Sequence, residues 1–247
     1  MHKKVIFLDI PIDAITMGDT LKQIELAIQF KKQIHHTVVN AGKIVLMQQD
    51  KALKDSVLNA DIINADGQAV VWASKLLGFR IPERVAGIDL MENLVKLSYL
   101  NNYKCFFLGA KQEIILKVIK NYKQSFNPSI IAGFRNGYFN ENDELQIAKD
   151  ISESGANILF VAISSPKKEI FLNRYKNHLS SVNFIMGVGG SFDVIAGKVK
   201  RAPKWMQNFG LEWFYRFYQE PTRMWKRYLI GNVKFIWLVI KAYFSRK

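Results

Sequence analysis

Residues 61–77 read Asp61-Ile-Ile-Asn-Ala-Asp-Gly-Gln-Ala-Val-Val-Trp-Ala-Ser-Lys-Leu-Leu77. A short apolar run, 61–64, gives way to the turn Ala65-Asp66-Gly67-Gln68. Apolar residues then recur at helical spacing: Val70, Val71, Ala73, Leu76 and Leu77. A strand-like run that changes to a 3.6-residue period across one polar turn is the repeating unit of an α/β fold. The same unit recurs on both sides. Further strands are expected at 5–8, 37–40, 104–108, 129–133, 158–163 and 183–188. Helices are expected over 20–30, 69–77, 90–100, 113–122, 143–151 and 167–179. This alternation specifies an α/β class: a mostly parallel, Rossmann-like sheet flanked by helices. In such sheets ligands sit beyond the carboxyl ends of the strands, so the loops there are where chemistry is sought.

The chain has 247 residues, 49% of them hydrophobic, which excludes a disordered polypeptide. Cys105, the single cysteine, lies in the apolar run Lys104-Cys-Phe-Phe-Leu108 and reads as a buried structural thiol. No internal disulfide is available, and the redox reading is cytoplasmic. The opening Met1-His-Lys-Lys-Val-Ile-Phe-Leu-Asp9 is too short an apolar run for a signal peptide, because Asp9 and Asp13 interrupt it. The formal charge of +14 is unevenly spread. From Lys198 onward twelve basic residues face only Glu212 and Glu220, and four of the five tryptophans lie there too. The composition therefore divides the chain into an α/β domain, 1–196, and a basic, aromatic-rich helical appendage, 197–247.

Within the appendage, residues 223–244 carry a helical pattern. Leu229, Ile230, Val233, Ile236, Trp237, Ile240 and Phe244 form an apolar face. Arg227, Lys234 and Lys241 recur every seven residues, so they stay within roughly 20° of one line. Cations beside a wide apolar face with tryptophan suit a helix lying in a membrane interface. Lys234 and Lys241 cut the run short of the ~18 charge-free residues that a spanning helix needs. Packing on its own domain, a homo-oligomer interface and nucleic-acid binding are alternative uses of the same face. Its continuity, and the lack of a familiar nucleic-acid motif, favour the membrane over nucleic acid.

Several strand-end loops carry candidate ligand-binding groups. Asp66 reads equally as the N-cap of the following helix and as a general base at the sheet's ligand edge. Asn40 reads first as a helix cap. In Pro82-Glu-Arg-Val-Ala-Gly-Ile-Asp89, Asp89 reads as an N-cap, and Arg84 as a solvated charge or an anion clamp. Gly109 ends a strand in a weak likeness to a nucleotide-binding turn. In Gly187-Val-Gly-Gly-Ser-Phe-Asp193, Gly190 allows close backbone approach and Asp193 can accept from a ribose or base, with a tight packing turn as the alternative. In Ile163-Ser-Ser-Pro-Lys-Lys-Glu169, Ser165 reads as an N-cap with Pro166 in the first turn. Lys167 and Lys168 oppose the helix dipole there, a hint that they face an anion. The chain has no Asp-x-Asp, and its four histidines have no metal-ligand spacing, so no metal site and no cofactor are expected.

Taken in order, these segments resemble the WecG/TagA/CpsF glycosyltransferases. The resemblance rests on Asn40-Ala41, Ala65-Asp-Gly67 with Val70-Val71-Trp72, Pro82–Asp89, Phe107-Leu-Gly109, Gly137-Tyr-Phe139, Ser165-Pro166 with Glu169, and Gly187–Asp193. It continues through Ala196-Gly197, Arg201-Ala-Pro203, Gly210-Leu-Glu-Trp-Phe-Tyr-Arg216, Glu220-Pro221 and Arg223. The resemblance implies an inverting, metal-independent transferase at the inner face of the cytoplasmic membrane. It implies a UDP-sugar donor, often N-acetylmannosamine or its uronic acid, and an acceptor N-acetylglucosamine on undecaprenyl diphosphate. Asp66 matches the catalytic base, and Asn40 and Arg84 match active-site positions. Gly109, Tyr138, Lys168, Glu169, Gly190 and Asp193 fall in the matching segments and are assigned to substrate binding. Arg216, Arg223 and Arg227 match an appendage that folds over the site and holds diphosphate. Two positions depart from the family pattern. Val38 stands where a threonine is usual, with Thr37 displaced by one, and Lys168 replaces a glutamine. The rival readings are a nucleotide- or nucleic-acid-binding protein with a basic tail, and a non-catalytic scaffold of a polysaccharide assembly complex.

Overall fold

The computed structural model describes residues 3–245, without the side chains of Arg223, Lys226 and Arg227. Six strands form one sheet: β3 (Ile34–Val39), β4 (Ile62–Ala65), β5 (Cys105–Gly109), β6 (Ile131–Arg135), β7 (Ile158–Ala162) and β8 (Phe184–Gly187). Their order across the sheet is β4-β3-β8-β7-β5-β6, and every neighbouring pair is parallel. The α/β class and the parallel sheet agree with the periodicity.

Both faces of this sheet are buried, and the strand period of two sorts its residues between them. Cys105, Phe107, Ile158, Phe160, Phe184 and Met186 join the core with Leu90, Leu94, Ile115 and Val118. Their neighbours in sequence, Phe106, Leu108, Leu159, Val161 and Ile185, join Ile147, Ile151, Phe171 and Leu172 on the other side. Cys105 is fully buried beside Ser98, and burial pushes its thiol up to about 12. It is an inert core residue, as its apolar context indicates.

The first strand does not enter the parallel sheet. β1 (Lys4–Phe7) pairs antiparallel with β2 (Ile10–Asp13) across Leu8 and Asp9, both at positive φ. Asp9 is the hairpin turn, not a break in an apolar run. Asp13 is buried, and its carboxylate accepts from the Ile63 N–H at 2.7 Å, so it satisfies backbone on the outer edge of β4. An aspartate at that position cannot be told from a strand breaker by composition alone.

Beyond residue 197 the chain forms helices Lys204–Asn208, Glu212–Gln219, Pro221–Trp225 and Gly231–Phe244, with a π-helical stretch Lys226–Ile230 before the last. Pro221 opens a new helix, as its missing N–H requires. The last helix buries Phe235 and Val239 among Phe7, Ile12, Val39, Ile44 and Val70. Its other apolar residues stay exposed, with Val233 at 67%, Trp237 at 65% and Phe244 at 68%. One side of this helix therefore packs on its own domain. The face formed by Leu229, Ile230, Val233, Ile236, Trp237, Ile240 and Phe244 does not. No helix among the described residues is long and apolar enough to cross a membrane.

Candidate active site

Backbone hydrogen bonds gather three of the predicted residues at the carboxyl edge of β3 and β4. The Asp66 N–H donates to Val39 O at 2.8 Å, which sets Asp66 beside Asn40. The Val85 N–H donates to Ala65 O at 2.9 Å, which brings Arg84 to the same strand end. Gly67, at φ 141°, occupies the cap position of helix Gln68–Leu76 with no side-chain cap bond, and its α-carbon faces the Asn40 side chain. Asp66 is therefore not the N-cap of that helix, and of its two readings the one requiring a cap is removed. Asn40 does cap helix Ala41–Met47, accepting from the Lys43 N–H at 3.0 Å. Its side-chain NH2 has no partner among the described residues and remains available to a ligand.

Behind this edge lies a buried charge cluster. Glu169 Oε1 is 2.8 Å from Lys43 Nζ and 2.8 Å from Lys168 Nζ, with all three side chains almost fully buried. Burial alone pushes the Glu169 carboxyl up, but the two ammonium groups outweigh it and hold its pKa at about 2. Lys43 Nζ also reaches Thr37 Oγ1 at 3.4 Å, so Thr37 points into this cluster, and Val38 beside it is buried. Gly187 is required here because a side chain would collide with Lys168.

The tertiary structure supplies its own partners for the two lysines that oppose the helix dipole. Lys168 pairs with Glu169, while Lys167 donates to Phe139 O at 3.0 Å and lies 4.4 Å over the Phe139 ring. The anion that Lys168 faces is thus the Glu169 carboxylate, and Lys167 meets a carbonyl and a ring face. Ser165 is not an N-cap either. The Ser165–Pro166 bond is cis, and Pro166 itself precedes helix Lys167–Arg174. Asp89 lies inside the first turn of helix Gly87–Asn101, whose cap position is Ala86. The Asp89 carboxylate receives two bonds from Arg201, one of 2.7 Å from Nη2. Burial raises its pKa, but the Arg201 bonds and charge bring it below its ordinary value.

The C-terminal segment returns over this edge. Gly210, at φ 66°, sits where a side chain would meet Gln68 and Trp72, on the helix that follows Asp66. Glu212 Oε2 lies 2.8 Å from Arg84 Nη1. Arg216 lies against Gly190 so closely that any side chain at 190 would strike its guanidinium. The Arg216 Nε is buried and has no hydrogen-bond partner among the described residues. Asp193 lies 3.6 Å from Lys198. The side chains of Arg223 and Arg227 are outside the described residues.

Sheet order separates the remaining two candidates from this cluster. Gly109 ends β5 and Tyr138 follows β6, four and five strand positions from β4. At ~4.8 Å per strand Gly109 stands roughly 19 Å from Asp66, and the Gly137 N–H donates to Ala110 O at 2.9 Å, which turns Tyr138 back over the same end of β5. Gly109 is glycine because a Cβ would lie 2.5 Å from the Ala162 backbone. Tyr138 is 71% exposed. A surface groove of about 340 Å³, lined by Leu116, Ile119, Lys120, Lys123, Gln124 and Phe134, lies toward that same end of the sheet. The converging backbone and charges at β3, β4 and β8, not the size of that groove, locate the candidate site. No group of three or more His, Cys, Asp or Glu among the described residues is arranged to hold a metal ion.

Sequence reasoning gave no site role to Lys43, nor to Arg201 and Glu212, although the last two stand in segments that carry the resemblance. The signal for Glu212 was its isolation: one of two acids among twelve bases is placed to meet a cation.

Comparison with known proteins gives concordant results. The profile of the Glycosyl transferase WecG/TagA/CpsF family matches residues 5–247. The chain is similar to an N-acetylglucosaminyldiphosphoundecaprenol N-acetyl-beta-D-mannosaminyltransferase of Bacillus spizizenii, at 38% identity over 74% of this chain and 69% of that protein. It is also similar to the Bacillus subtilis strain 168 protein of the same name, at 35% identity over 81% of this chain and 76% of that protein.

Proposed function

Since this chain belongs to the WecG/TagA/CpsF glycosyltransferase family, we propose that it moves N-acetylmannosamine, or its uronic acid, from UDP to an N-acetylglucosamine carried on a polyprenyl diphosphate. In this reading Asp66 takes the proton from the acceptor hydroxyl, which attacks the anomeric carbon from the face opposite UDP. The C1–O bond to the diphosphate breaks as the new glycosidic bond forms, so the configuration inverts. Arg84, Arg216 and the backbone N–H groups around Gly189 and Gly190 offset the charge developing on the departing diphosphate, with no metal ion required.

The observation that carries this reading is Arg216. A guanidinium with a buried, unpartnered Nε is pressed on the glycine loop after β8. β8 is two strand positions from β4, roughly 10 Å from Asp66. A cation held this way beside a carboxylate suits an anionic ligand between them. The exposed face of helix Gly231–Phe244, with Lys234 and Lys241 also exposed, supports peripheral attachment at the inner face of the membrane, where a lipid-linked acceptor would be met.

The test is a screen of UDP-sugars against a synthetic prenyl-diphosphate-N-acetylglucosamine, with product mass as readout. Asp66→Asn should lower kcat by roughly 10²- to 10⁴-fold while UDP binding is kept. An Asp66→Asn enzyme with ordinary turnover removes the base assignment.

A further inference from the structure

Glu212, a carboxylate of the C-terminal segment, reaches the candidate site and lies between two guanidinium groups. Its Oε2 is 2.8 Å from Arg84 Nη1, and its Oε1 is 3.5 Å from Arg201 Nε. Arg201 is in turn bonded twice to Asp89, two residues into the helix that follows Arg84. Arg84, Glu212, Arg201 and Asp89 thus form a chain of two cations and two anions that cancel. It ties residues 201 and 212 to the loop carrying Arg84.

The Arg84 side chain is only 16% exposed, and a guanidinium that dry requires a counter-charge. Its backbone is pinned beside Asp66 through the Val85–Ala65 bond, yet four rotatable bonds separate that backbone from the charged head. Among the described residues only Glu212 fixes the head, and it does so through Nη1 alone. The Nε and Nη2 N–H groups have no partner among the described residues. A planar fork held along one edge presents the other edge in a set direction.

We propose that Glu212 is a positioning residue: it aims the remaining N–H groups of Arg84 at the diphosphate of the sugar nucleotide. This rests on the reading of Arg84 as an anion-binding group given above. Glu212 touches no reacting atom and acts through Arg84.

The experiment is a double-mutant cycle on the full-length protein with Glu212→Gln, Arg84→Ala and the pair, followed by transfer kinetics and by calorimetric binding of UDP. Glu212→Gln should lower kcat and UDP affinity by roughly ten- to a hundredfold, the weight of one charged hydrogen bond, and should also lower the thermal midpoint, because Arg84 loses its counter-charge. Glu212→Asp should recover part of the loss. In the Arg84→Ala background Glu212→Gln should have no further effect. If the two losses multiply, Glu212 serves only to hold the segment through Arg201, and the proposal is overturned. If the wild type transfers no sugar, the transferase reading has failed, and the UDP-binding cycle alone decides the role of Glu212. A wild type that neither transfers sugar nor binds UDP overturns both.

Discussion

Asp66 and Gly67 show how one residue's position decides between two local readings. An aspartate before a helix is most simply a cap, and only the coordinates show that Gly67 holds the cap position with its φ of 141°. Two other glycines separate structure from function in the same way. A Cβ at Gly109 would enter the Ala162 backbone in a region of φ that side chains avoid. Gly109→Ala should therefore cost about 2–4 kcal/mol of stability, read as a lowered urea midpoint. A Cβ at Gly190 would strike a flexible side-chain end, that of Arg216. Gly190→Ala should leave the urea midpoint within about 0.5 kcal/mol equivalent while reducing transfer, because Arg216 must move. Equal effects of the two variants on stability would contradict this assignment.

At the scale of an element, the helix Gly231–Phe244 does two jobs on two faces. The periodic reading found the face that remains exposed. It missed that Phe235 and Val239 are buried against Ile44 and the β1–β2 hairpin. Helical spacing alone cannot say which of two apolar stripes meets the core. Phe235→Ala should cost about 3 kcal/mol, whereas Trp237→Ala should change stability little. On anionic vesicles the order reverses: Trp237→Ala, and Lys234→Gln with Lys241→Gln, should weaken binding, the lysine pair by roughly tenfold or more. Vesicle binding unaffected by these changes would detach this helix from the membrane. Lys167 and Lys168 teach the same caution for a helix start. An unfavourable charge at the dipole pointed to an anion, and for Lys168 the protein itself supplies one in Glu169, while Lys167 turns to Phe139.

For the whole molecule, deleting residues 197–247 is not a clean test of the appendage, since it uncovers Phe7, Ile12 and Ile44. Truncation should lower the thermal midpoint as well as transfer. Acid stability also belongs to this scale. Burial holds His35 and His36 neutral in the fold, with pKa values lowered from 6.5 to about 4. The unfolded chain takes up protons first, so stability should fall as pH drops from about 6.5 to about 4, by at most about 3 kcal/mol per pH unit for two such groups. Urea midpoints across that window measure it, and His36→Gln should roughly halve the slope. Below it, Glu169 adds a second loss as pH falls from the ordinary carboxylate range toward about 2. The sequence by itself determined the α/β class, nearly every strand of the sheet, Asp66 as a strand-end carboxylate and the exposed stripe of the last helix. All of these follow from spacings of two to four residues along the chain. Only the tertiary structure decided the order β4-β3-β8-β7-β5-β6, and with it the separation of Gly109 and Tyr138 from Asp66. It alone joined Arg84 to Glu212 across 128 residues of sequence, because such a contact is set by the packing of the entire chain and leaves no local period to read.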